Sequence, residues 1–418
     1  TTESWFVPWG ELPEADREAD RRIGARLVTE MGPAGGGGRG VSAGIAVELF
    51  GCAGGMAEGF RRAGVRFDLV VDASQDACAS YHANLGHRPV QMDVRDLLRL
   101  AEGGWRPPPI WLLVADPPCT PWSRAGTRMG LDDERDMLTA TVRLIELWRP
   151  ASYLIANVPG LVDGPHWPVV QELLGRRFGA AGYCAADFVR LDAADYGVPQ
   201  HRVRPFWFGH LDGPCLRWPD PTHGAPGQPT LPGVAALRPW VTCRDALAHL
   251  AAEEIGRPVG LRRRACRAGR RESVMRLEDP NRPPADPDAP HRAVTAARDQ
   301  ALLDWPVSRP STVISTRSAI PPPGHHPESG SILSLPAAVV LSERAATLLQ
   351  GFPDDWVLDG RTKAARWAQI GQAMPPPLAE AVARQVVARA TRGLTGWDTR
   401  TQASARRSTA SRTKGGVP

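Results

Sequence analysis

The sequence predicts an α/β fold built on a buried, largely parallel sheet. Four apolar runs of five or six residues recur between residues 45 and 156, and none alternates cleanly between apolar and polar side chains. Such runs are typical of strands that are covered on both faces. A helical pattern follows each run, and alternating strands and helices favour right-handed crossover connections. The predicted strands are Ile45–Phe50, Asp68–Asp72, Ile110–Ala115 and Ser152–Ala156.

The clearest helical patterns lie beside these strands and near the end of the chain. Met56–Ala63 follows the first strand, Glu134–Trp148 precedes the fourth, and Leu378–Val387 comes before a polar tail. In Glu134–Trp148 the apolar side chains recur near the period of a helix. Tyr183–Arg190 and Phe206–Gly209 are candidates for later strands.

The chain length and its changes of composition predict several regions. At about 150 residues per domain, 418 residues correspond to two or three domains. We expect a flexible lead-in over residues 1–40, ending in glycines, and an α/β domain over 41–210. Residues 211–305, rich in Pro, Arg and Gly, form a smaller region. Residues 306–390 return as a closing segment, and 391–418 form a basic tail.

The composition argues against several classes of protein. Apolar residues make up 42% of the chain and charged residues 23%, as in a folded globular protein. No run of 18 apolar residues and no signal-peptide pattern occurs, so we expect neither a membrane protein nor a secreted one. The seven cysteines form no Cys-x-x-Cys pair, which argues against a disulfide framework or a zinc ribbon and indicates a reducing compartment.

The basic charge is informative only through its location. The last 28 residues hold six basic groups and one acid, which equals the whole net charge of +5. All but two of the 50 basic residues are arginine, as expected from a GC-rich genome. Leu261–Arg271 contains six arginines. By itself, this cluster is better interpreted as a solvated surface loop than as a nucleic-acid contact.

Acidic side chains and a glycine-rich turn indicate a nucleoside-type cofactor. The turn Glu48–Gly55 joins the first strand to a helix, and glycines there let a backbone approach a ligand at the positive end of the helix. Asp72 ends the next strand, where an acid can accept hydrogen bonds from ribose hydroxyls. Asp93 follows the next short apolar stretch. Each acid could equally be a helix cap, and the three acids Glu48, Asp72 and Asp93 at successive strand ends make a nucleoside-type cofactor as good an interpretation as a set of caps.

The strongest chemical signal is a proline-rich segment, Ala115–Ser123, that carries Cys119 directly after a predicted strand. Pro117 and Pro118 restrict the backbone and hold the thiol at the carboxyl end of the sheet, where open α/β folds bind ligands. A structural cysteine would be expected inside the strand. The position therefore favours a nucleophile.

In this order, these residues resemble the DNA cytosine-5 methyltransferase family, and the resemblance covers most of residues 45–385. Glu48–Gly55 is similar to its S-adenosylmethionine loop, and Pro117–Cys119 to its catalytic loop. Asp72 corresponds to its ribose acid and Asp93 to its adenine contact. The other similar segments, in the family's order, are Asn157–Leu161, Ala194–Arg204, Gln350–Asp354 and Gln369–Leu378.

The resemblance implies a fold, a reaction and its participants. The fold is a Rossmann-like S-adenosylmethionine-dependent methyltransferase domain with a smaller, irregular target recognition domain at residues 211–305. The substrate is a cytosine flipped out of double-stranded DNA. The Cys119 thiolate adds at C6, the ring takes the methyl group at C5, and loss of the C5 proton expels the thiol. S-adenosylhomocysteine is the product of the cofactor, and no metal is expected.

The resemblance also assigns site residues by position. Cys119 is the implied nucleophile, Arg202 and Arg204 approach cytosine O2 and the nearby phosphate, and Asn157 belongs to the catalytic pocket. The implied cofactor-binding residues are Phe50, Gly51, Cys52, Gly54, Gly55, Asp72, Asp93, Val94, Pro118 and Gln372. The implied DNA-binding residues are Ser123, Gln200, Arg262, Arg263 and Arg264. Because the resemblance puts the arginine cluster in the target recognition domain, DNA contact becomes the better interpretation of that cluster.

The chain departs from the family pattern at several positions, of which Ala156 matters most. The family has a glutamate there that holds and protonates cytosine N3, and a methyl group can do neither. By analogy with removing one preorganised donor, we expect a rate loss of at least ~10²–10³. Cys52, Thr120 and Gln372 are also unusual, but they are tolerable variations.

Other functions stay open from the sequence. Asp116-Pro117-Pro118 resembles the start of the loop of amino-methyltransferases that act on adenine N6 or cytosine N4, but the aromatic position holds Cys119. A transfer-RNA cytosine methyltransferase of related fold is a further alternative. Ala156 also fits a protein that binds DNA and cofactor without turnover. We expect a monomer in the bacterial cytoplasm, associated with the nucleoid, whose partner is DNA and for which a cognate restriction endonuclease is a further candidate.

Overall fold

The computed structural model describes Glu14 and residues 44–118, 137–164, 167–184, 187–211, 216–225, 236–258, 291–292, 300–302, 314–315 and 339–393. The predicted lead-in, most of the tail and much of the predicted recognition region therefore lie outside the described residues. So do Cys119, Thr120 and Ser123, and the arginine cluster with Arg262, Arg263 and Arg264. The domain boundaries stay predictions.

The described elements alternate strand and helix through the first half of the chain. The strands up to residue 210 are β1 (Ile45–Leu49), β2 (Leu69–Asp72), β3 (Val90–Gln91), β4 (Ile110–Ala115), β5 (Ser152–Ala156), β6 (Asp187–Asp192), β7 (Gln200–His201) and β8 (Val203–His210). The later ones are β9 (His223–Gly224), β10 (Arg238–Pro239), β11 (Gly256–Pro258), β12 (His291–Arg292), β13 (Gln300–Leu302), β14 (Ile314–Ser315) and β15 (Val339–Leu341). The helices are α1 (Gly55–Arg62), α2 (Gln75–Leu85), α3 (Val94–Glu102), α4 (Leu138–Trp148), α5 (Pro159–Asp163), α6 (Trp167–Ala180), α7 (Cys243–Leu247), α8 (Ala252–Ile255), α9 (Glu343–Leu349), α10 (Lys363–Gln372) and α11 (Pro376–Gly393).

Seven strands form one mixed sheet in the order β3-β2-β1-β4-β5-β8-β6. The first five are parallel neighbours, which confirms the predicted α/β fold. β8 is the exception, because it runs antiparallel to both β5 and β6. A 3₁₀ turn and the short β7 are the only described elements between β6 and β8, and a parallel crossover needs a longer connection.

One predicted strand is displaced in the structure. β6 spans Asp187–Asp192, whereas the sequence placed a strand over Tyr183–Arg190. Tyr183 is buried before the strand begins, and its hydroxyl donates a hydrogen bond to the Pro150 carbonyl at 2.7 Å. The Tyr183 ring packs against Tyr153 of β5 and Phe178 of α6 instead of continuing the strand.

The strand order creates a crevice between β1 and β4. From β1 the chain adds β2 and β3 on one side, and then crosses over to add β4 and β5 on the other. At such a reversal the connections leave the carboxyl ends of the two central strands in opposite directions. Open α/β sheets bind their ligands in the crevice that results.

Helices cover both faces of the sheet. On one face α3, α4 and α6 bury a cluster that includes Leu97, Ile145 and Phe178. On the other face α1 and α11 pack together over a second cluster with Phe60 and Val382. Because α11 lies near the end of the described chain, the closing segment returns to the same domain as the first strands.

The contact between α1 and α11 depends on the absence of a side chain at Gly59. A Cβ atom there would lie 2.4 Å from the Ala379 Cβ and 2.6 Å from the Glu380 backbone nitrogen. Both distances are shorter than non-bonded contacts allow, so one helix would have to move.

We therefore predict that Gly59→Ala lowers the free energy of unfolding by roughly 1–3 kcal/mol, the usual cost of overpacking. Gly175→Ala in α6 is the control, because no atom lies within 4 Å of its added Cβ. That variant should gain about 0.5–1 kcal/mol from helix propensity. Urea unfolding measures both changes, and equal stabilities for the two variants would contradict the packing argument.

Glu48 is a buried acid near the end of β1, and 1% of its surface is exposed. The Tyr81 hydroxyl donates a hydrogen bond to Glu48 Oε2 at 2.9 Å, which opposes the effect of burial. Burial is the larger effect and raises the pKa of Glu48 to about 8, with a further contribution from the negative charges of Asp72 and Asp116. The Glu48 carboxyl is therefore mostly neutral at pH 7.

A raised pKa in the folded chain makes stability fall as pH rises from about 4.5, the ordinary value, to about 8. Over this window the folded chain binds the proton that the unfolded chain has lost. We predict that Glu48 contributes a loss of roughly 1–3 kcal/mol between pH 6 and pH 8, and that Glu48→Gln removes it. Urea unfolding at the two pH values is the measurement, with the exposed Glu172→Gln as control. A slope that Glu48→Gln leaves intact would refute this assignment.

Candidate active site

A cleft opens at the carboxyl ends of β1, β2 and β4, where the strand order predicts one. Among the residues that line it are Phe50, Gly51, Cys52, Gly55, Asp72, Asp93, Val94, Pro118 and Gln372, nine of the ten predicted to bind the cofactor. The tenth, Gly54, is the N-cap of α1. Arg204 lines the same cleft, so the structure brings one predicted catalytic residue to the predicted cofactor residues.

The turn between β1 and α1 has an unusual backbone. Phe50, Cys52 and Gly54 adopt φ values of 63°, 48° and 86°, in the left-handed region that side chains disfavour. The turn is held by hydrogen bonds from the Phe50 amide to the Val71 carbonyl and from the Cys52 amide to Asp72 Oδ2, both at 2.8 Å. Backbone strain of this kind costs of order 1–3 kcal/mol and persists only where the surroundings enforce it.

The glycines of this turn serve packing, which differs from the reason that the sequence suggested. A Cβ at Gly51 would lie 2.7 Å from Val70 Cγ1, and one at Gly55 would lie 2.1 Å from the Met374 carbonyl oxygen. Both positions therefore require glycine because the chain itself approaches so closely. Close approach of a ligand is not needed to explain them.

Asp72 supports the turn and also faces the cleft. Its Oδ2 accepts the Cys52 amide at 2.8 Å, and its Oδ1 accepts the Ser74 amide at 2.7 Å. Burial raises the pKa of Asp72, and these two hydrogen bonds oppose that rise. Each carboxylate oxygen keeps further acceptor capacity, so Asp72 can still accept ligand hydroxyls.

Asp93 is a helix cap that also lines the cleft. It lines the cleft, and its Oδ1 caps α3 by accepting the Arg95 amide at 2.8 Å. The Arg95 guanidinium lies 2.7 Å from Asp93 Oδ2 and is the main cause that holds the pKa of this carboxyl below its usual value. Asp93 is therefore an ionised cap whose partner fixes its position at the cleft wall.

Asn157 anchors the segment that leads to Cys119. Its Nδ2 donates to the Pro117 carbonyl at 3.3 Å, and its Oδ1 accepts the Val158 amide at 2.8 Å. The side chain is 1% exposed. Because its amide is engaged with the backbone in this way, Asn157 acts as a positioning residue for the proline segment.

The two predicted arginines lie beside the closing segment and the cleft. Arg202 is buried, and its Nη2 donates to the carbonyls of Gly371 at 2.6 Å and Ala373 at 3.2 Å. Arg204 is also largely buried but lines the cleft. Both positive charges act on the carboxyl of Asp116, at the end of β4.

The structure does not support the DNA contact predicted for Gln200. This side chain is fully buried, and its Nε2 donates to the Leu349 carbonyl at 3.0 Å and to Gln350 Oε1 at 2.7 Å. Gln350 Nε2 in turn donates to the Ala373 carbonyl at 2.7 Å. Gln200 therefore joins β7 to the closing segment. The motif position alone could not distinguish such a tie from a surface contact.

Several residues that line the cleft were missed by sequence reasoning. They are Met56, Ala73, Ser74, Met92, Asp116, Pro117, Met137, Val158, Gly371 and Met374. Five of the ten, Ala73, Ser74, Asp116, Pro117 and Val158, follow a predicted strand end by one or two residues, which is the signal that could have found them. Gly371 and Met374 carry no such signal, because long-range contacts bring them to the cleft.

Among the described residues, no helix has the length and apolar character needed to cross a membrane. In the same part of the chain, no group of three or more His, Cys, Asp or Glu side chains is arranged to hold a metal ion.

Known proteins resemble this chain in sequence and in fold. Type II methyltransferase M.NgoMIV from Neisseria gonorrhoeae is 28% identical over 347 residues, which cover 82% of this chain and 96% of the relative. Type II methyltransferase M.NaeI from Lentzea aerocolonigenes is 28% identical over 350 residues, which cover 81% and 74%. A DNA modification methyltransferase from an E. coli prophage shares the fold, with a TM-score of 0.52, 20% identity, and coverage of 82% of this chain and 97% of that one.

The model of the C-5 cytosine-specific DNA methylase family matches residues 45–227 and 322–388. The gap between the two matched ranges falls largely on the region where the sequence predicts target recognition. The matched residues make up more than half of the 418, and the chain therefore belongs to the family of C-5 cytosine-specific DNA methylases, the DNA (cytosine-5-)-methyltransferases.

Proposed function

We propose that this protein transfers a methyl group from S-adenosylmethionine to C5 of a cytosine in double-stranded DNA, through a covalent bond between Cys119 and C6. The supporting observation is the composition of one cleft. Residues of the Phe50–Gly55 turn, Asp72, Pro117, Pro118 and Arg204 all line it. Pro118, which lines the cleft, directly precedes Cys119 in the sequence.

The residues of the cleft fit an adenosine-type cofactor. Asp72 retains acceptor capacity for ribose hydroxyls, and Phe50 and Val94 offer apolar surface for a base. Asp93 would accept a hydrogen bond from the exocyclic amino group of the adenine. When bound, S-adenosylmethionine supplies a methyl group on a positively charged sulfur. The predicted cofactor-binding roles of these residues rest on this fit.

The reaction at cytosine needs a nucleophile, a flipped base and compensation for charge. Cytosine C5 is too weakly nucleophilic to take a methyl group directly, so a thiolate must first add at C6. The ring electrons would then form the new bond from C5 to the methyl carbon, whose bond to the cofactor's sulfur would break, so that S-adenosylhomocysteine leaves. Loss of the C5 proton to a base restores the double bond as the bond between sulfur and C6 breaks. Arg202 and Arg204 would stabilise negative charge at cytosine O2 and the adjacent phosphate.

Residues that lie outside the described part of the chain would contribute to DNA binding. Ser123 lies in the catalytic segment, and Arg262, Arg263 and Arg264 lie in the region between the two parts of the family match. Arginines there would neutralise phosphates and make binding salt-dependent. The relatives' Type II designation suggests a restriction-modification role, for which a cognate endonuclease is the candidate partner.

Cofactor binding is tested at Asp72. We predict that Asp72→Ala weakens S-adenosylmethionine binding by roughly 1–3 kcal/mol, because hydrogen bonds to a charged, buried acceptor are lost. Asp68→Ala is a matched control, since Asp68 Oδ2 also accepts a backbone amide, that of Ala46 at 2.8 Å, but at the opposite end of β2. Titration calorimetry measures both. Equal affinities in the two variants would remove Asp72 from the cofactor site.

Methyl transfer is tested at Cys119. Tritium from labelled S-adenosylmethionine should enter DNA. Bisulfite sequencing of the same DNA should show that the methyl group is on cytosine. DNA with 5-fluorocytosine should give a complex that survives denaturation, because fluorine cannot leave as the proton does. We predict that Cys119→Ser abolishes both signals, whereas Cys184→Ser, at a free cysteine elsewhere, preserves them. Label on an exocyclic amino group, or DNA binding without label, would overturn the proposal.

A further inference from the structure

Asp116 directly follows β4, and Ala156 is the last residue of β5. The two strands are parallel, with Val114 paired to Leu154 and Ala115 paired to Ile155. If this register is continued by one residue, Asp116 lies opposite Ala156. Paired residues of neighbouring parallel strands point to the same face and lie about 5 Å apart. A carboxyl at 116 and one at 156 would therefore approach the same space.

The packing of the two strands identifies that face. Val114, Leu154 and Ala156 belong to the cluster beneath α1 and α11, whereas Ala115 and Ile155 belong to the cluster on the opposite face. Side chains alternate along a strand, so Asp116 projects on the side of Ala156. Ala156 itself is fully buried, and Asp116 lines the cleft.

Asp116 differs from the other two carboxyls that line the cleft. Asp72 accepts backbone amides, and Asp93 is engaged by Arg95. Asp116 makes no hydrogen bond to another described residue. Burial raises its pKa, and the charges of Arg204 and Arg202 oppose that rise. The Asp116 carboxyl can therefore form hydrogen bonds with a ligand, and it lines the same cleft as Arg204.

The chemistry of addition to cytosine requires such a group. When a thiolate adds at C6, the electron pair of the ring moves toward N3 and O2. A proton donor at N3 neutralises that charge, and the methyl group of Ala156 cannot supply one. A carboxylic acid can donate to N3 and accept from the neighbouring exocyclic amino group at the same time.

We propose that Asp116 is the acid that acts at cytosine N3 in this protein, so that the carboxyl stands at the end of β4 instead of the end of β5. This inference rests on the proposed methyl transfer to cytosine. The Asp116 proton passes to N3 as the bond from sulfur to C6 forms. It returns to Asp116 after the C5 proton has left to a base and that bond has broken. The rate loss expected from Ala156 alone is then offset.

The experiment compares four full-length chains: wild type, Asp116→Asn, Ala156→Glu and the double variant. Asp116→Asn keeps the shape but cannot donate a proton as the acid does. It should lower the single-turnover rate of methylation at least ~10²-fold and slow the trapping of 5-fluorocytosine DNA equally. Affinities for S-adenosylmethionine and DNA should stay within about threefold, because the acid acts on the reacting ring.

The Ala156→Glu variants distinguish this role from a structural one. Adding Ala156→Glu to Asp116→Asn should recover at least ~10-fold of the lost rate, because the second carboxyl enters the same space. In the wild-type background, Ala156→Glu should give no gain. Lost cofactor affinity with an unchanged rate in Asp116→Asn would make Asp116 a cofactor ligand and overturn the inference.

The remaining outcomes separate the two proposals. A wild-type chain that methylates cytosine, and keeps its rate in Asp116→Asn, overturns the role of Asp116 and leaves the proposed function standing. Turnover that appears only after Ala156→Glu likewise overturns the role of Asp116 alone. If neither the wild type nor Ala156→Glu modifies cytosine in DNA, the proposed function and the role of Asp116 both fail.

Discussion

A buried set of polar side chains ties the closing segment to the catalytic sheet, and the cleft depends on it. Gln200 and Arg202, between β6 and β8, reach the closing segment through Gln350 and through the carbonyls of Gly371 and Ala373. Buried donors and acceptors of this kind are costly to leave unpaired, so the network favours this arrangement. That arrangement brings Gly371 to the cleft wall, although many residues separate it in sequence from β1.

Local pattern was sufficient to predict the central strands and the positions of the acids that follow them. The end of a strand can be predicted because a buried apolar run stops at a polar residue, as β2 does at Asp72. The antiparallel direction of β8 and the burial of Gln200 could not be predicted from local pattern, because each depends on partners distant in sequence. The same limit explains Gly51 and Gly55, whose need for glycine comes from Val70 and Met374.

Residues at the proposed ligand site also hold the fold in place. Asp72 holds the strained turn that it also faces, Asp93 caps the helix whose first residue lines the cleft, and Asn157 secures the segment that leads to Cys119. The geometry of the site is thus fixed by bonds that need no ligand. A site preorganised in this way loses little further freedom when the ligand binds.

A parallel sheet explains how a catalytic group can change its position in the sequence without a change in the fold. Paired residues of neighbouring parallel strands point to the same face of the sheet. A side chain can therefore reach one place from the end of β4 or from the end of β5. Asp116 directly follows β4 and Ala156 ends β5, so the proposed exchange of the strand that carries the carboxyl requires no change in the sheet. The alanine at position 156 then has a physical reason, because two adjacent carboxyls would repel each other and only one of them could ionise readily.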